Sequence, residues 1–159
     1  MYFRYTLFLL LFVHIFSLNH GKHLKIISLN SQYDKPLNWS KYQYYIIASK
    51  NSENSAKIWS KKIIQHKKIN INKLCAIASV SSYYLKTPFS KLLIKNTLLL
   101  YQKEIPIYID WNEKFSKLNN IESYPTIIII HIENNNKYKI IKSISGEYSE
   151  SKLADIFDL

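Results

Sequence analysis

The stretch "IESYPTIIIIHIENNNKYKIIKSISG", residues 121–146, decides how this chain is read. Tyr124, Pro125 and Thr126 stand directly before an unbroken β-branched run, followed by a polar turn at Asn134-Asn135-Asn136 and a second apolar run that closes at Gly146. Two β-branched runs around a turn-forming cluster predict a hairpin, with strands over 126–132 and 138–144. Proline has no N–H to give to a ladder, so within sheets it sits at the first position or the edge of a strand. The chain has only 4 prolines and places one of them at the mouth of its strongest strand.

Outward from the hairpin, strands and helices alternate. "YQYYIIAS" over 42–49 is dense in aromatic and β-branched residues and reads as a buried strand. After the polar break "KNSENS", whose Ser or Asn can cap a helix, Ala56, Trp59, Ile63 and His66 recur at helical spacing. A short apolar strand follows over 74–80, and Thr87-Pro88 supplies a hydroxyl cap and a first-turn proline for a helix opening at "FSKLLIKN". Residues 105–111 read as a third core strand. Asn112 is expected to cap a short helix carrying Phe115 and Leu118. A closing helix from Ser149 puts Leu153, Ile156 and Phe157 on one face. Ahead of these elements, 22–41 is a turn-rich lead-in broken at Asp34-Lys35-Pro36, with a short edge strand expected over 24–29. Such alternation requires a sheet covered on both faces, and the hairpin adds antiparallel strands to it. The expected fold class is therefore α/β: a three-layer sandwich with a mixed central sheet and a C-terminal hairpin and helix.

Composition bounds the function. The 159 residues, 47% hydrophobic and 14% aromatic, suffice for one packed domain and argue against disorder as the main state. Arg4 followed by an apolar run over 5–18 is shorter than the roughly 20 residues a spanning helix needs, and it fits the core of an export signal. Residues 1–21 are read as a signal peptide or N-terminal membrane anchor, 22–41 as the lead-in and 42–159 as the domain. The expected location is periplasmic or secreted, with 5–18 able to hold the chain in the inner membrane. No small-x-small cut site follows the run; Ser17 and Gly21 are the nearest small residues. The net charge of +11 rests on Lys at every basic position but Arg4, scattered along the whole chain. Readers of nucleic acid use clustered charge and bidentate Arg, so nucleic acid is disfavoured, and an anionic membrane surface is the better use of the surplus.

In order of elements, the chain from residue 42 onward resembles the thioredoxin-like superfamily, and its cysteine-poor exported members such as the YtfJ-like proteins in particular. The resemblance rests on aromatic-Pro-Thr before a strand, the hairpin ending in Gly146 and the terminal helix, with "IASVSSYYLKTPFSKLLIKN" and "IPIYIDWNEKF" resembling the YtfJ-like segments. It implies that Pro125 follows a cis bond, flanked by Tyr124 and Thr126, and that a backbone edge beside it can pair with an extended peptide or partner protein. Redox-active members carry Cys-x-x-Cys at the head of the first helix, where the helix N-terminus lowers the thiol pKa. Here that place reads Ser52-Glu53-Asn54-Ser55. Hydroxyls do not perform thiol exchange. The expectation is a redox-inactive binding or assembly module with Ser52, Ser55, Tyr124, Pro125 and Thr126 around its groove, no matched catalytic residue and no cofactor.

The competing reading is a thiol-dependent peroxidase or oxidoreductase using Cys75, the sole cysteine, which excludes an internal disulfide. Its apolar setting, "KLCAIASV", is that of a small buried hydrophobe. His20-x-x-His23 has no thiolate or carboxylate at close spacing, so no metal site is expected; His66 is placed at a helix boundary and His131 on a strand. Asp110 at a strand end is read as the cap of the following helix rather than as a catalytic acid. With 2 glycines there is no phosphate-binding loop.

Overall fold

The computed structural model describes residues 21–101, 105–134 and 136–157; the expected leader, save Gly21, lies outside them. In chain order the elements are β1 (Asn30–Ser31), β2 (Tyr44–Ser49), α1 (Glu53–Gln65), β3 (Leu74–Val80), α2 (Ser90–Tyr101), β4 (Ile107–Trp111), α3 (Lys114–Leu118), β5 (Thr126–Glu133), β6 (Lys137–Ser145) and α4 (Glu150–Phe157). The strands form one sheet in the order β1-β4-β3-β2-β5-β6. β2, β3 and β4 run parallel, and β5 joins β2 antiparallel with Thr126 opposite Ile47. β6 closes the hairpin on β5, and β1 pairs antiparallel with β4. The sheet is mixed, as the alternation followed by a hairpin predicts.

Strand periodicity sorts the core into two layers. One face collects Tyr45, Ile47, Cys75, Ile77, Ile128 and Ile130, closed by Phe115 of α3 and by Trp39 of the lead-in. The other carries Ile46, Ile127 and Ile129 against Trp59 and Ile63 of α1 and Leu153, Ile156 and Phe157 of α4. Each large side chain withdrawn from water in this way contributes about 1.5–3 kcal/mol. Trp59 is fully buried, and its Nε1 donates to Gly146 O at 3.0 Å while Gly146 N donates to Pro125 O at 2.8 Å. Gly146 has φ +90°, a region that side chains other than glycine's rarely adopt, so it can turn out of β6 and serve both contacts.

Two expectations need correction. No strand forms over 24–29; the edge strand is β1 at Asn30–Ser31. The reason is that Leu24 and Leu29 turn inward to the core, so the chain crosses the sheet face as a strap. Its backbone is tied at isolated points, such as Leu24 N to Tyr138 O at 2.6 Å, and it reaches a ladder only beside β4. The side chain of Asn112 does not start α3 either. Asn112 and Glu113 take left-handed φ values of 60° and 58°, and the helix N–H groups of Phe115 and Ser116 donate instead to the two carboxylate oxygens of Asp110 at 2.8 and 2.9 Å. That is the capping role expected for Asp110. The helix start at Ser149 falls where expected, with Lys152 N donating to Ser149 Oγ at 3.2 Å; before α2 the Thr87 hydroxyl meets Ser90 Oγ at 2.8 Å and not a helix N–H, while Thr87 N donates to Ser90 Oγ at 3.1 Å.

Candidate functional site

The C-terminal ends of the three parallel strands converge, which is where α/β sheets place ligands and chemistry. Ser49 ends β2, Ser79 lies opposite it on β3, and Asp110 is the partner of Ser79 on β4. Because β5 runs antiparallel to β2 and begins opposite Ile47, the residues just before it, Tyr124 and Pro125, extend past this same end of the sheet. The Tyr124-Pro125 peptide is cis.

A buried line of hydroxyls runs across the site. Tyr124 Oη lies 3.0 Å from Ser79 Oγ, Ser79 Oγ lies 3.0 Å from Ser116 Oγ, and Ser116 Oγ donates to Asp110 at 2.9 Å. Asp110 is fully buried, and Ser116 and Ser79 nearly so. Since the Ser116 proton is committed to the carboxylate, Ser79 donates to Ser116, and Tyr124 in turn donates to Ser79. The line therefore has one direction and holds the Tyr124 ring against the end of β3. On the other side of the proline, Thr126 Oγ1 donates to Ser123 O and lies 2.7 Å from Ser145 Oγ. The main-chain N–H and C=O of Tyr124 have no protein partner among the described residues.

Ser52 and Ser55 stand at the head of α1, both buried. Ser52 Oγ donates to Ser49 O at 3.1 Å and accepts from Ser49 N at 3.0 Å, so it serves the turn from β2 into the helix. Ser55 Oγ has no hydrogen-bond partner among the described residues. The sheet register brings Ser49, Tyr124 and Pro125 to one end, but the hydrogen bonds of Tyr124 and Thr126 go to β3 and to β6, not to either serine of the α1 head. Ser79 and Ser116 escaped the sequence reading. A serine at a strand end and one in a five-residue helix carry no local signal, and their meeting is set by the packing of α3 on the sheet.

No family model matches the sequence, and no curated protein does. Solved structures do. The exposed lipoprotein thioredoxin of Streptococcus pneumoniae superposes with a TM-score of 0.59 at 18% identity, over 84% of this chain and 98% of that one. A thiol-disulfide isomerase from Corynebacterium glutamicum gives 0.55 at 13% identity, over 86% and 93%. A thioredoxin-like protein from Porphyromonas gingivalis gives 0.53 at 18% identity, over 87% and 90%. The fold is thioredoxin-like.

In a thioredoxin-like frame the head of the first helix is where a dithiol would stand, and this chain has hydroxyls there. Its one thiol is elsewhere. Cys75 is fully buried in β3, opposite Tyr45 and four residues before Ser79. Burial pushes the Cys75 thiol well up, with the Lys41 charge acting in the opposite sense. The thiol is a packing residue of the Tyr45–Ile77 layer.

The histidines are dispersed. His23 Nε2 lies 3.0 Å from Glu133 Oε2 at the surface, a carboxylate partner distant in sequence that spacing alone does not reveal. His66 ends α1 and stacks on Phe157 with 3.7 Å between ring centres, and His131 is exposed on β5. His14 and His20 lie outside the described residues. Among the described residues no three metal-type ligands gather, and no helix is long and apolar enough to cross a membrane.

Proposed function

We propose that this protein is an exported thioredoxin-like domain, without the redox Cys-x-x-Cys, that acts as a protein-binding or assembly module. Its groove is bounded by Ser52, Ser55, Tyr124, Pro125 and Thr126, and it engages an extended peptide or partner protein by main-chain pairing. The observation that carries this reading is the state of Tyr124: its ring is held by the Ser79–Ser116–Asp110 line, while its main-chain N–H and C=O have no protein partner among the described residues. A donor and an acceptor held open side by side are what a strand-like ligand pairs with. The buried Cys75 and the hydroxyls at the α1 head support binding without electron transfer.

Export rests on the leader over 1–21, on the resemblance to exported YtfJ-like proteins and on a structural neighbour that is itself an exposed lipoprotein. Periplasmic or secreted placement, with 5–18 serving as an anchor if uncleaved, follows from the same leader. The lysine surplus favours an anionic membrane surface as a further partner.

Reduced, carboxymethylated α-lactalbumin is a suitable extended-chain probe. Titrated into the isotope-labelled full chain, it is expected to shift the amides of Tyr124, Thr126 and Ser52 to Ser55 first, while insulin reduction and peroxide turnover stay at the blank rate. Turnover that disappears in Cys75→Ser, or shifts confined to the far end of the sheet, would overturn the reading.

A further inference from the structure

The helix α2 covers the sheet without sealing against it. None of its described side chains is buried, and Leu92, Leu93 and Leu100 are 57%, 63% and 80% exposed. The strand beneath shows the same gap from the other side. On β3, Cys75 and Ile77 are fully buried on one face, whereas Ala76 and Ala78 on the opposite face are only half-buried although β3 is central in the sheet. Together with Ala48 of β2 and Ala56 of α1, these short side chains leave a cavity of about 380 Å³ between α1, the sheet and α2. Protein interiors rarely keep voids much larger than a water molecule, and small-ligand sites occupy roughly 300–1,000 Å³.

The wall is apolar, with Ile46 and Ile107 from the sheet and Leu93, Ile94 and Leu98 from α2. Charge enters only at the end nearest the turn into α1, through Lys50, Glu53 and Lys57. Lys57 Nζ pairs with Glu53 at 2.6 Å, which cancels those two charges locally. Lys50 has no carboxylate partner among the described residues; its Nζ sits 5.1 Å from the centre of the Tyr84 ring. One uncompensated cation at the rim of an apolar cavity selects a ligand with one anionic head and an apolar tail. A single cation and the absence of a glycine-rich loop do not suit a polyphosphate.

We propose that this cavity binds a fatty acid: the alkyl tail lies on Ala76 and Ala78 beneath α2, and the carboxylate pairs with Lys50. The site is separate from the groove at Tyr124, and it does not depend on the binding-module reading.

Calorimetric titration of the full chain with dodecanoate, dodecanol and dodecyltrimethylammonium tests the assignment. One molecule of dodecanoate is expected to bind per chain, with the quaternary amine binding at least fivefold more weakly. Lys50→Glu is expected to weaken dodecanoate about fivefold to tenfold, in the range of a partly exposed charge pair, and to leave dodecanol unchanged. Ala78→Leu fills the floor and is expected to abolish both. If Ala78→Leu does not fold by circular dichroism, Thr97→Trp, an exposed position of α2 that lines the cavity, blocks it from the other wall and reports by fluorescence. No saturable dodecanoate binding, equal affinity for the cationic amphiphile, or undiminished binding in a folded blocking variant overturns the proposal.

Discussion

Asp110 is the residue on which the site end of the sheet depends. Its carboxylate accepts three donors, Phe115 N, Ser116 N and Ser116 Oγ, and it is fully buried. Asp110→Ala would leave those donors in a place water does not reach, and each unsatisfied buried group costs about 1–3 kcal/mol. Local relaxation will recover part, so a loss of about 2–4 kcal/mol is expected in the urea midpoint. Asp110→Asn keeps an acceptor of the same shape and is expected to lose less. A loss below about 1 kcal/mol for Asp110→Ala would show that the carboxylate does not start α3. Two caps for α3 were on offer, Asn112 and Asp110; the carboxylate takes the role because it reaches N–H groups five and six residues on, across the left-handed Asn112-Glu113 turn, a choice the sequence does not make. Nor does it hint that Ser79 and Tyr124 join the same line, since those residues come together only through the sheet register and the packing of α3.

Among the elements, the hairpin and the strap were legible to different degrees. The ladder strand β5 declares itself by its unbroken β-branched run from Thr126 to Ile130, and the turn by its Asn cluster. The lead-in has the same Ile and Leu content over 24–29 but buries Leu24 and Leu29 as separate plugs, a difference set by the partner surface and not by periodicity. Nor does the Leu-rich pattern of α2 reveal that it stands off the sheet, because helical spacing fixes a face but not its depth. The strap is clipped to the hairpin by His23 on Glu133, with Lys139 at 4.0 Å. The hydrogen bond from His23, and then the charges of His23, Lys139 and His131, hold the Glu133 carboxyl below the ordinary glutamate range. A folded-state pKa lowered in this way stabilises above the unfolded value, and the contribution disappears as pH falls through the lowered folded value. The wild type is therefore expected to exceed Glu133→Gln in urea midpoint at pH 6, with the two converging as pH falls through and below the carboxylate range. A gap that persists at acid pH would mean that the clip acts by packing and not by charge.

On the scale of the molecule, the strap is part of the sandwich. Trp39 is 6% exposed, stacks on Phe115 at 5.2 Å between ring centres, and donates from Nε1 to Ile27 O at 3.0 Å, so it closes the layer that α3 is too short to cover alone. Trp39→Ala removes a large buried ring and is expected to cost about 3–5 kcal/mol, a large share of what a domain of this size has. The opposite side of the molecule offers α2 and the turn before it, where Phe89, Leu92 and Leu100 are exposed near Lys86 and Lys91, on a chain whose net charge is +11. Apolar side chains set among lysines are the pattern that lies on an anionic bilayer, where each basic residue near the surface adds about 1 kcal/mol of attraction. The full chain is expected to co-sediment with phosphatidylglycerol vesicles and not with phosphatidylcholine vesicles. Raising ionic strength from about 0.01 M to about 0.15 M shortens the screening length from roughly 30 Å to roughly 8 Å, and should release much of the bound protein. Phe89→Ser together with Leu92→Ser should weaken what remains at the higher salt, because those residues supply the unscreened apolar part. Equal binding to neutral vesicles, or none to anionic ones at low salt, would remove the membrane surface as a partner and leave the lysines as solvated charge.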